Sequence, residues 1–206
     1  TRTSAQGEAS PEDIALILHT SGTTSRPKIV PLSQSNLATS AHNVAHMLNL
    51  SPEDRCLNLM PLFHIHGLVA CILSSLQAGG SVVCIEPFQA ERFFDHLTHW
   101  NPSWYSAVPT MHQAVLAEAE NQSIDLSASA LRLIRSSSAA LPPIVMKGLE
   151  ALFSVPVIES YGMTEAAHQM TSNPLPPLER KPGSVGLPAG PKVAILNSNN
   201  DVLEVG

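Results

Sequence analysis

The stretch WYSAVPTMHQAVLAEAENQSIDLSASALRLIR, residues 104–135, contains one strand–helix–strand unit. Its first segment, Trp104 to Val108, is a short apolar run that is typical of a buried strand. Pro109 to Glu120 follows as a predicted helix, with proline near its start, where proline is favoured. Leu131 to Arg135 is a second short apolar run. Units of this kind, repeated along a chain, favour a parallel sheet.

The same alternation extends in both directions from this unit. Further strands are predicted at Ile14 to His19, Arg55 to Met60, Ser81 to Ile85 and Val155 to Glu159. Further helices are predicted at Ser35 to Leu50, Gly67 to Ala78, Gln89 to Trp100 and Pro142 to Phe153. Ser35 is the expected N-cap of the first helix. The pattern predicts an α/β fold, with a mostly parallel sheet flanked by helices on both faces.

The composition changes near Asn173. Residues 173–191, NPLPPLERKPGSVGLPAGP, are rich in Pro and Gly and lack helical periodicity. Lys192 to Leu196 and Val202 to Val205 are predicted strands around an Asn-rich turn. We therefore expect an α/β subdomain over residues 1–172, and a Pro/Gly-rich linker with the beginning of a β-rich subdomain over residues 173–206.

Composition and charge exclude several classes of protein. Hydrophobic residues make up 44% of the 206 residues and charged residues 14%, which favours a packed core over disorder. The net charge is −6 and no Lys/Arg cluster occurs, so no nucleic-acid partner is expected. The longest apolar stretch, Gly67 to Ala78, is too short to span a bilayer, so no transmembrane segment is expected.

Cys56, Cys71 and Cys84 have no regular spacing and give neither a disulfide framework nor a metal motif. All three are expected to be buried reduced thiols, which fits a cytoplasmic location.

The segment HTSGTTSRPK, His19 to Lys28, joins the first predicted strand to the first predicted helix. Its hydroxyl groups are those of Thr20, Ser21, Thr23, Thr24 and Ser25. Such a loop can bind phosphate oxygens through hydroxyl and backbone N–H donors, while Lys28 supplies a positive charge. It differs from the common P-loop, which needs Gly-x-x-x-x-Gly-Lys-Ser/Thr. An ordinary surface turn is the alternative.

A second polar segment, YGMTE (residues 161–165), follows the predicted strand Val155 to Glu159. Ligands of parallel sheets bind where strands end at their carboxyl edge. Thr164 could bond a phosphate, Glu165 could hold Mg²⁺, and Tyr161 could stack on a flat base. The alternative is a helix N-terminus with an acidic residue placed favourably for the helix dipole.

Five segments in order along the chain together resemble the adenylate-forming superfamily of acyl-CoA synthetases, adenylation domains and luciferases. They are TSGTTSRPK (20–28), PLFHIHGL (61–68), SSSAAL (136–141), YGMTE (161–165) and GSVGLP (183–188). The segments HTSGTTSRPK, WYSAVPTMHQ and MTEAAHQMTSNPLP look most like the oxalate–CoA ligase-like branch. The loop departs from the usual pattern at Ser25 and Ile29, where glycine is common.

The resemblance implies a two-step reaction that uses ATP, Mg²⁺ and CoA. A small carboxylic acid attacks the α-phosphate of ATP, pyrophosphate leaves, and the acyl adenylate reacts with a thiol. Catalysis of the first step consists of positioning and charge neutralisation. The thiol would be that of CoA or, as an alternative, of a carrier protein. A truncated binding module without catalytic activity is the third possibility.

The resemblance also assigns roles to individual residues. The phosphate-binding residues would be Thr20, Ser21, Gly22, Thr23, Thr24 and Lys28. The adenine would lie between Ser138, Ala139 and Ala140 on one side and Glu159, Ser160 and Tyr161 on the other. Thr164 would contact phosphate, Glu165 would hold Mg²⁺, His64 would lie beside the reacting carboxylate, and His112 would form part of the pocket wall.

In this family the ribose-binding Asp, the hinge and the catalytic Lys lie downstream of the residues present here. The chain also begins at Thr1 without an initiator Met. We therefore expect a fragment of a larger N-terminal domain, with little turnover on its own.

Overall fold

The computed structural model describes residues 7–20, 27–85, 87–121, 124 and 126–203, and within them strands and helices alternate. The strands are β1 (Ile14–Thr20), β2 (Lys28–Ser33), β3 (Arg55–Asn58), β4 (Ser81–Cys84), β5 (Trp104–Ala107), β6 (Leu133–Ser136), β7 (Val157–Met163), β8 (His168–Ser172) and β9 (Leu187–Pro188). The α-helices are α1 (Gln34–Met47), α2 (Ser74–Gln77), α3 (Phe93–Trp100), α4 (Pro109–Asn121) and α5 (Pro143–Phe153). A π-helix covers His66–Leu73, and 3₁₀ turns cover Ala90–Arg92 and Thr164–Ala166.

Seven strands form one sheet in the order β4-β3-β5-β6-β7-β8-β9. The pairs from β4 to β7 are parallel, whereas β7–β8 and β8–β9 are antiparallel. The mostly parallel α/β sheet predicted from the sequence is confirmed.

Successive residues of the central strands are buried on opposite faces of this sheet. Tyr105 and Ile134 pack in a cluster with α3, α4 and α5, while their neighbours Trp104 and Leu133 pack with α1 and the π-helix. Side chains alternate across a strand, so burial of both sets requires helices on both faces. Burial on both faces explains why the sequences of these strands are almost continuously apolar.

The first hairpin differs from the prediction. β1 pairs with β2 in a separate two-stranded antiparallel sheet, so it does not join the parallel one. β1 is also not fully buried, because Ile14 and Ile17 are more than half exposed. β2 was not predicted, since Pro31 argues against a strand and is tolerated here at a sheet edge.

Two other local predictions were wrong, and a third was right in its position but not in its helix type. Ser33, not Ser35, caps α1. The predicted helix over Gly67 to Ala78 is present, but its first part belongs to the π-helix His66–Leu73, and only Ser74–Gln77 is α-helical. Cys56 and Cys71 are buried, but Cys84 is exposed at the end of the outermost strand, β4.

Residues beyond Asn173 contain less regular structure than predicted. β9 pairs with β8, and the two predicted strands near the C-terminus reduce to one antiparallel bridge between Leu196 and Val202 within the described part. The division of the chain at residue 173 remains a prediction. Of the helices in the described ranges, none combines the length and apolar character needed to cross a bilayer.

Candidate functional site

The candidate site lies where four parallel strands end. The PLFHIHGL motif follows β3, and the SSSAAL motif begins at the last residue of β6. The YGMTE motif covers the last three residues of β7 and the first two of the turn after it, while Val108 follows β5. Because parallel strands present their carboxyl ends at the same edge, these motifs are brought together although they are up to a hundred residues apart in the chain.

One cavity of about 240 Å³, here called cavity A, gathers all six residues predicted to surround an adenine. Its lining consists of Ser138, Ala139, Ala140, Glu159, Ser160, Tyr161, Gly162 and Val185. The two sides of the cavity are joined by hydrogen bonds. The Ser137 hydroxyl donates to the Ser160 carbonyl at 3.1 Å, and the backbone N–H of Leu141 donates to Glu159 Oε1 at 2.9 Å.

Glu159 therefore has a structural role as well as a position on the cavity. Its carboxylate is buried, and Oε1 fixes the end of the SSSAAL segment. Ser138, in the middle of that segment, has φ +75°, a left-handed conformation that non-glycine residues rarely adopt. Strain of this kind is concentrated at functional sites, and here it turns the segment across the cavity.

A second cavity of about 290 Å³, here called cavity B, adjoins the first. Its lining consists of Met60, His64, Ile65, His66, Val108, Ser138, Gly162, Met163, Thr164 and His168. Ser138 and Gly162 line both cavities, so A and B are continuous neighbours. Cavity B brings together His64 and Thr164, two of the four predicted catalytic residues.

Buried histidines form the inner wall of cavity B. His66 Nδ1 lies 3.0 Å from Ser138 Oγ, and His66 Nε2 lies 2.7 Å from Ser106 Oγ. The ring of His168 meets that of His66 edge to face, with centroids 5.2 Å apart. Burial, and then nearby positive charge that includes Arg135, lowers the pKa of both histidines well below the ordinary value. Both rings are therefore neutral at neutral pH.

The predicted phosphate-binding loop is described at its two ends only. Thr20 and Lys28 face each other across the β1–β2 hairpin, and β2 lies against the turn Thr164–Ala166. Ser21, Gly22, Thr23, Thr24 and Ser25 lie outside the described residues. Lys28 and Glu165 are thus carried by two elements in contact, as a shared phosphate site requires.

Glu165 does not line cavity A or B. It lines a third cavity, of about 310 Å³, together with residues of α1 and with Gln169 and Gly190. Mg²⁺ in nucleotide sites is typically held by one or two carboxylates plus substrate phosphates. Glu165 supplies one carboxylate next in the chain to Thr164, although the two residues line different cavities. No group of three His, Cys, Asp or Glu side chains suited to a metal occurs in the described ranges.

His112 lines neither cavity A nor cavity B, contrary to the prediction. It is fully buried in α4, where its Nδ1 lies 3.3 Å from the Tyr105 hydroxyl. Burial lowers the pKa of His112 to about 4, so the ring is a neutral core residue.

Sequence reasoning missed Arg135 and His168. Arg135 lies inside an apolar strand and belongs to no motif, so nothing in the sequence singled it out. His168 lies three residues after Glu165, and the return of the chain along β8, which brings it to cavity B, was not predicted.

Comparison with known proteins agrees with the resemblance. A family model described as AMP-binding enzyme matches residues 2–206. An oxalate–CoA ligase of Saccharomyces cerevisiae is 48% identical over 200 residues, which are 97% of this chain and 36% of the relative. A sulfoacetate–CoA ligase of Cupriavidus necator is 41% identical over 186 residues, which are 90% of this chain and 36% of the relative.

Solved structures give the same result. The crystal structure of ATP-bound MatB from Rhodopseudomonas palustris superposes with a TM-score of 0.85 at 30% identity, covering 99% of this chain and 40% of that one. The chain thus spans about a third of the length of the curated relatives it matches. On its sequence and its fold alike, the chain belongs to the AMP-binding enzyme family.

Proposed function

We propose that this chain is the nucleotide- and acid-binding part of a longer AMP-forming ligase, which activates a carboxylic acid and transfers it to CoA. The observation that carries the proposal is the pair of adjoining cavities. Cavity A is lined by the six residues expected around adenine, and cavity B by His64 and Thr164. A nucleotide in A would have its phosphates directed toward a carboxylate in B.

In the first step, a carboxylate oxygen attacks the α-phosphorus of ATP, and the bond to pyrophosphate breaks. Lys28 and the hydroxyls near Thr20 would hold the β- and γ-phosphates, and Thr164 would donate a hydrogen bond to phosphate. Mg²⁺, held by Glu165 and the phosphates, would supply neutralising charge. The described residues need only position groups and offset charge, which suits phosphoryl chemistry.

In the second step, the sulfur of CoA attacks the carbonyl carbon of the acyl adenylate, and AMP leaves. The named relatives are CoA ligases, and this favours CoA over a carrier-protein thiol as the acceptor. Residues for this step are expected outside the present chain.

We propose further that the acid is small and carries a second negative charge, with oxalate as the first candidate. Cavity B is about 290 Å³ and has a polar inner wall of His66, Ser138 and His168. Oxalate and sulfoacetate, which appear in the names of two relatives, are both small dianions.

The test is acid-dependent exchange of labelled pyrophosphate into ATP by the full-length protein that carries this chain. We expect exchange with oxalate and little without an added acid, followed by release of AMP when CoA is supplied. Omission of Mg²⁺ should abolish exchange.

Three results would separate the alternatives. No exchange across a broad panel of acids would leave only a noncatalytic binding module. Pyrophosphate exchange that is not followed by release of AMP when CoA is added would favour a carrier protein as the thiol acceptor. Exchange with monoanionic acids alone would retain the ligase but overturn the proposed class of substrate.

A further inference from the structure

Arg135 is a buried cation without an anionic partner in the described part of the chain. It lies in β6 with no exposed surface, and neither of the two ion pairs found among the described residues includes it. Burial lowers its pKa to about 10, which leaves the guanidinium charged at neutral pH. A buried charge without a counterion is costly, so such an arrangement calls for an explanation.

The hydrogen bonds of Arg135 are few, long and made to neutral groups. Nη1 lies 3.4 Å from His66 Nε2 and 3.3 Å from Ser106 Oγ, and Nη2 lies 3.4 Å from Gln169 Oε1. The Nε atom has no partner among the described residues. None of these contacts offsets the positive charge.

Two neighbouring side chains are also incompletely bonded. Gln169 Nε2 and His168 Nδ1 are buried and, among the described residues, have no hydrogen-bond partner. His168 lines cavity B, and Gln169, the next residue, lies beside Arg135. Unused hydrogen-bonding capacity thus lies next to the unpaired charge, at Gln169, and at the wall of cavity B, at His168.

A chain of contacts leads from Arg135 to the surface of cavity B. A guanidinium can only donate, so His66 Nε2 must accept and the ring proton lies on Nδ1. His66 Nδ1 then donates to Ser138 Oγ, and the Ser138 hydroxyl proton is free to point into the cavity. The buried positive charge of Arg135 favours this placement of the His66 and Ser138 protons. The low local dielectric strengthens the hydrogen bonds from Arg135 to His66 and from His66 to Ser138.

We propose that Arg135 is a positioning residue that makes cavity B prefer acids with a second negative charge. It acts at a distance, through its field and through His66 and Ser138, and does not touch the acid. The inference rests on the proposed acid-activating function, and it names the residue that sets the choice of acid.

The test compares oxalate with oxamate, which has the same size but carries an amide in place of one carboxylate. In the full-length protein, Arg135→Gln should raise the KM for oxalate at least tenfold in pyrophosphate exchange. The inhibition constant of oxamate should change less than threefold, and so should the KM for ATP. Arg135→Lys, which keeps a positive charge, should retain most of the preference for oxalate.

Arg132→Gln is the matched control. It also removes a guanidinium from the β6 region, but Arg132 bonds Asp54 and the end of α1, away from cavity B. This control should lower stability and leave the ratio of oxalate to oxamate binding unchanged.

The outcomes separate this inference from the proposed function. An absence of wild-type exchange with any acid would overturn the proposed function and the inference with it. A wild type that binds oxamate as well as oxalate, or an Arg135→Gln variant that weakens both equally, would overturn the role of Arg135 alone. If Arg135→Gln does not fold, the test uses a folded Arg135→Lys variant that still binds ATP. Loss of the preference for oxalate over oxamate in that variant would likewise overturn the role of Arg135.

Discussion

Asp54 is a single carboxylate that ties together three separated segments of chain. Its oxygens accept hydrogen bonds from the Ser51 backbone at 2.8 Å, from the Ser103 hydroxyl at 2.6 Å and from Arg132 at 2.7 and 2.8 Å. Arg132 also donates to the Leu48 carbonyl at the end of α1. Burial alone would raise the pKa of Asp54, but these bonds lower it from 3.8 to about 2.

We therefore predict that Asp54→Asn lowers the free energy of unfolding at pH 7. The Arg132 side chain is one-third exposed, so after allowance for solvent screening we expect a loss of about 1–2 kcal/mol. A carboxyl whose folded pKa is lowered stabilises above its unfolded pKa. Its contribution is thus complete above about pH 4 and disappears as the pH falls toward 2.

Urea unfolding at several pH values measures both effects. Asp54→Asn should converge with wild type near pH 2, whereas the exposed Asp95→Asn should stay within about 0.5 kcal/mol of wild type at pH 7. Equal urea midpoints of Asp54→Asn and wild type at pH 7 would contradict the prediction.

Glu165 provides a second test at the level of one side chain. If it holds Mg²⁺, then Glu165→Ala should reduce pyrophosphate exchange at least tenfold, or about 1.4 kcal/mol. Glu179→Ala is a suitable control, since Glu179 is exposed and lines none of the three cavities. A wild-type rate in Glu165→Ala would remove Glu165 from the metal site.

For individual residues, membership of a motif could be predicted from the sequence, but the surroundings of the side chain in the fold could not. Thr164 was found because a short polar segment follows a predicted strand, whereas Ser138 and Glu159 were assigned through the resemblance to the family's motifs. Arg135 could not be found, because an apolar strand with one Arg does not reveal whether its charge has a partner. That property depends on Gln169 and His66, which are distant in sequence.

Among the elements, α1 has the best-defined boundary. The Ser33 hydroxyl accepts from the Asn36 backbone at 3.2 Å, while Asn36 Oδ1 accepts from the Ser33 backbone at 3.1 Å. This reciprocal arrangement is a capping box with Asn in place of the usual Glu or Gln. It begins the helix at Gln34, one residue earlier than predicted.

We predict that Ser33→Ala costs about 1 kcal/mol of stability, the usual cost of losing an N-cap. Ser35→Ala is the control, because Ser35 is exposed and makes no capping bond in the structure. Chemical denaturation measures the loss of stability in each of the two variants. A larger loss from Ser35→Ala than from Ser33→Ala would mean that the helix begins elsewhere in solution.

Elements whose ends are marked by Pro or Gly could be predicted from the sequence. Elements that form only because they pair or pack with another part of the fold could not. Pro109 and Gly79 mark helix boundaries in the sequence, and α4 and the end of α2 lie close to the predicted positions. β8 exists because it pairs with β7 across a tight turn. The π-helix is equally hidden, since the segment is apolar on all sides and has no distinct period.

In the whole molecule, residues beyond 173 join the sheet through β9 and are also held by a few side-chain bonds. The Asn173 side chain accepts from the Lys181 backbone at 3.0 Å and donates to the Ser184 carbonyl at 2.5 Å. Arg180 pairs with Glu150 of α5. Composition indicated a change near Asn173, but not that this loop folds back on β7 and β8, which is decided by backbone contacts.

Two glycines of this loop allow the last prediction to be made with an internal control. Both have positive φ, +78° at Gly183 and +82° at Gly186. A Cβ at Gly183 would meet nothing within 4 Å, whereas a Cβ at Gly186 would lie 2.2 Å from the backbone of Ser172 and Asn173. Gly183→Ala should therefore cost only the conformational penalty of about 1–2 kcal/mol.

Gly186→Ala should carry the same penalty and in addition separate the loop from β8. Trypsin reports on this separation, because Arg180 lies in the loop and is held by Glu150 and by the Val157 carbonyl in the native state. We expect cleavage at Arg180 to be at least tenfold faster in Gly186→Ala than in Gly183→Ala. Equal cleavage rates in the two variants would mean that the contact of Gly186 with β8 does not hold the loop.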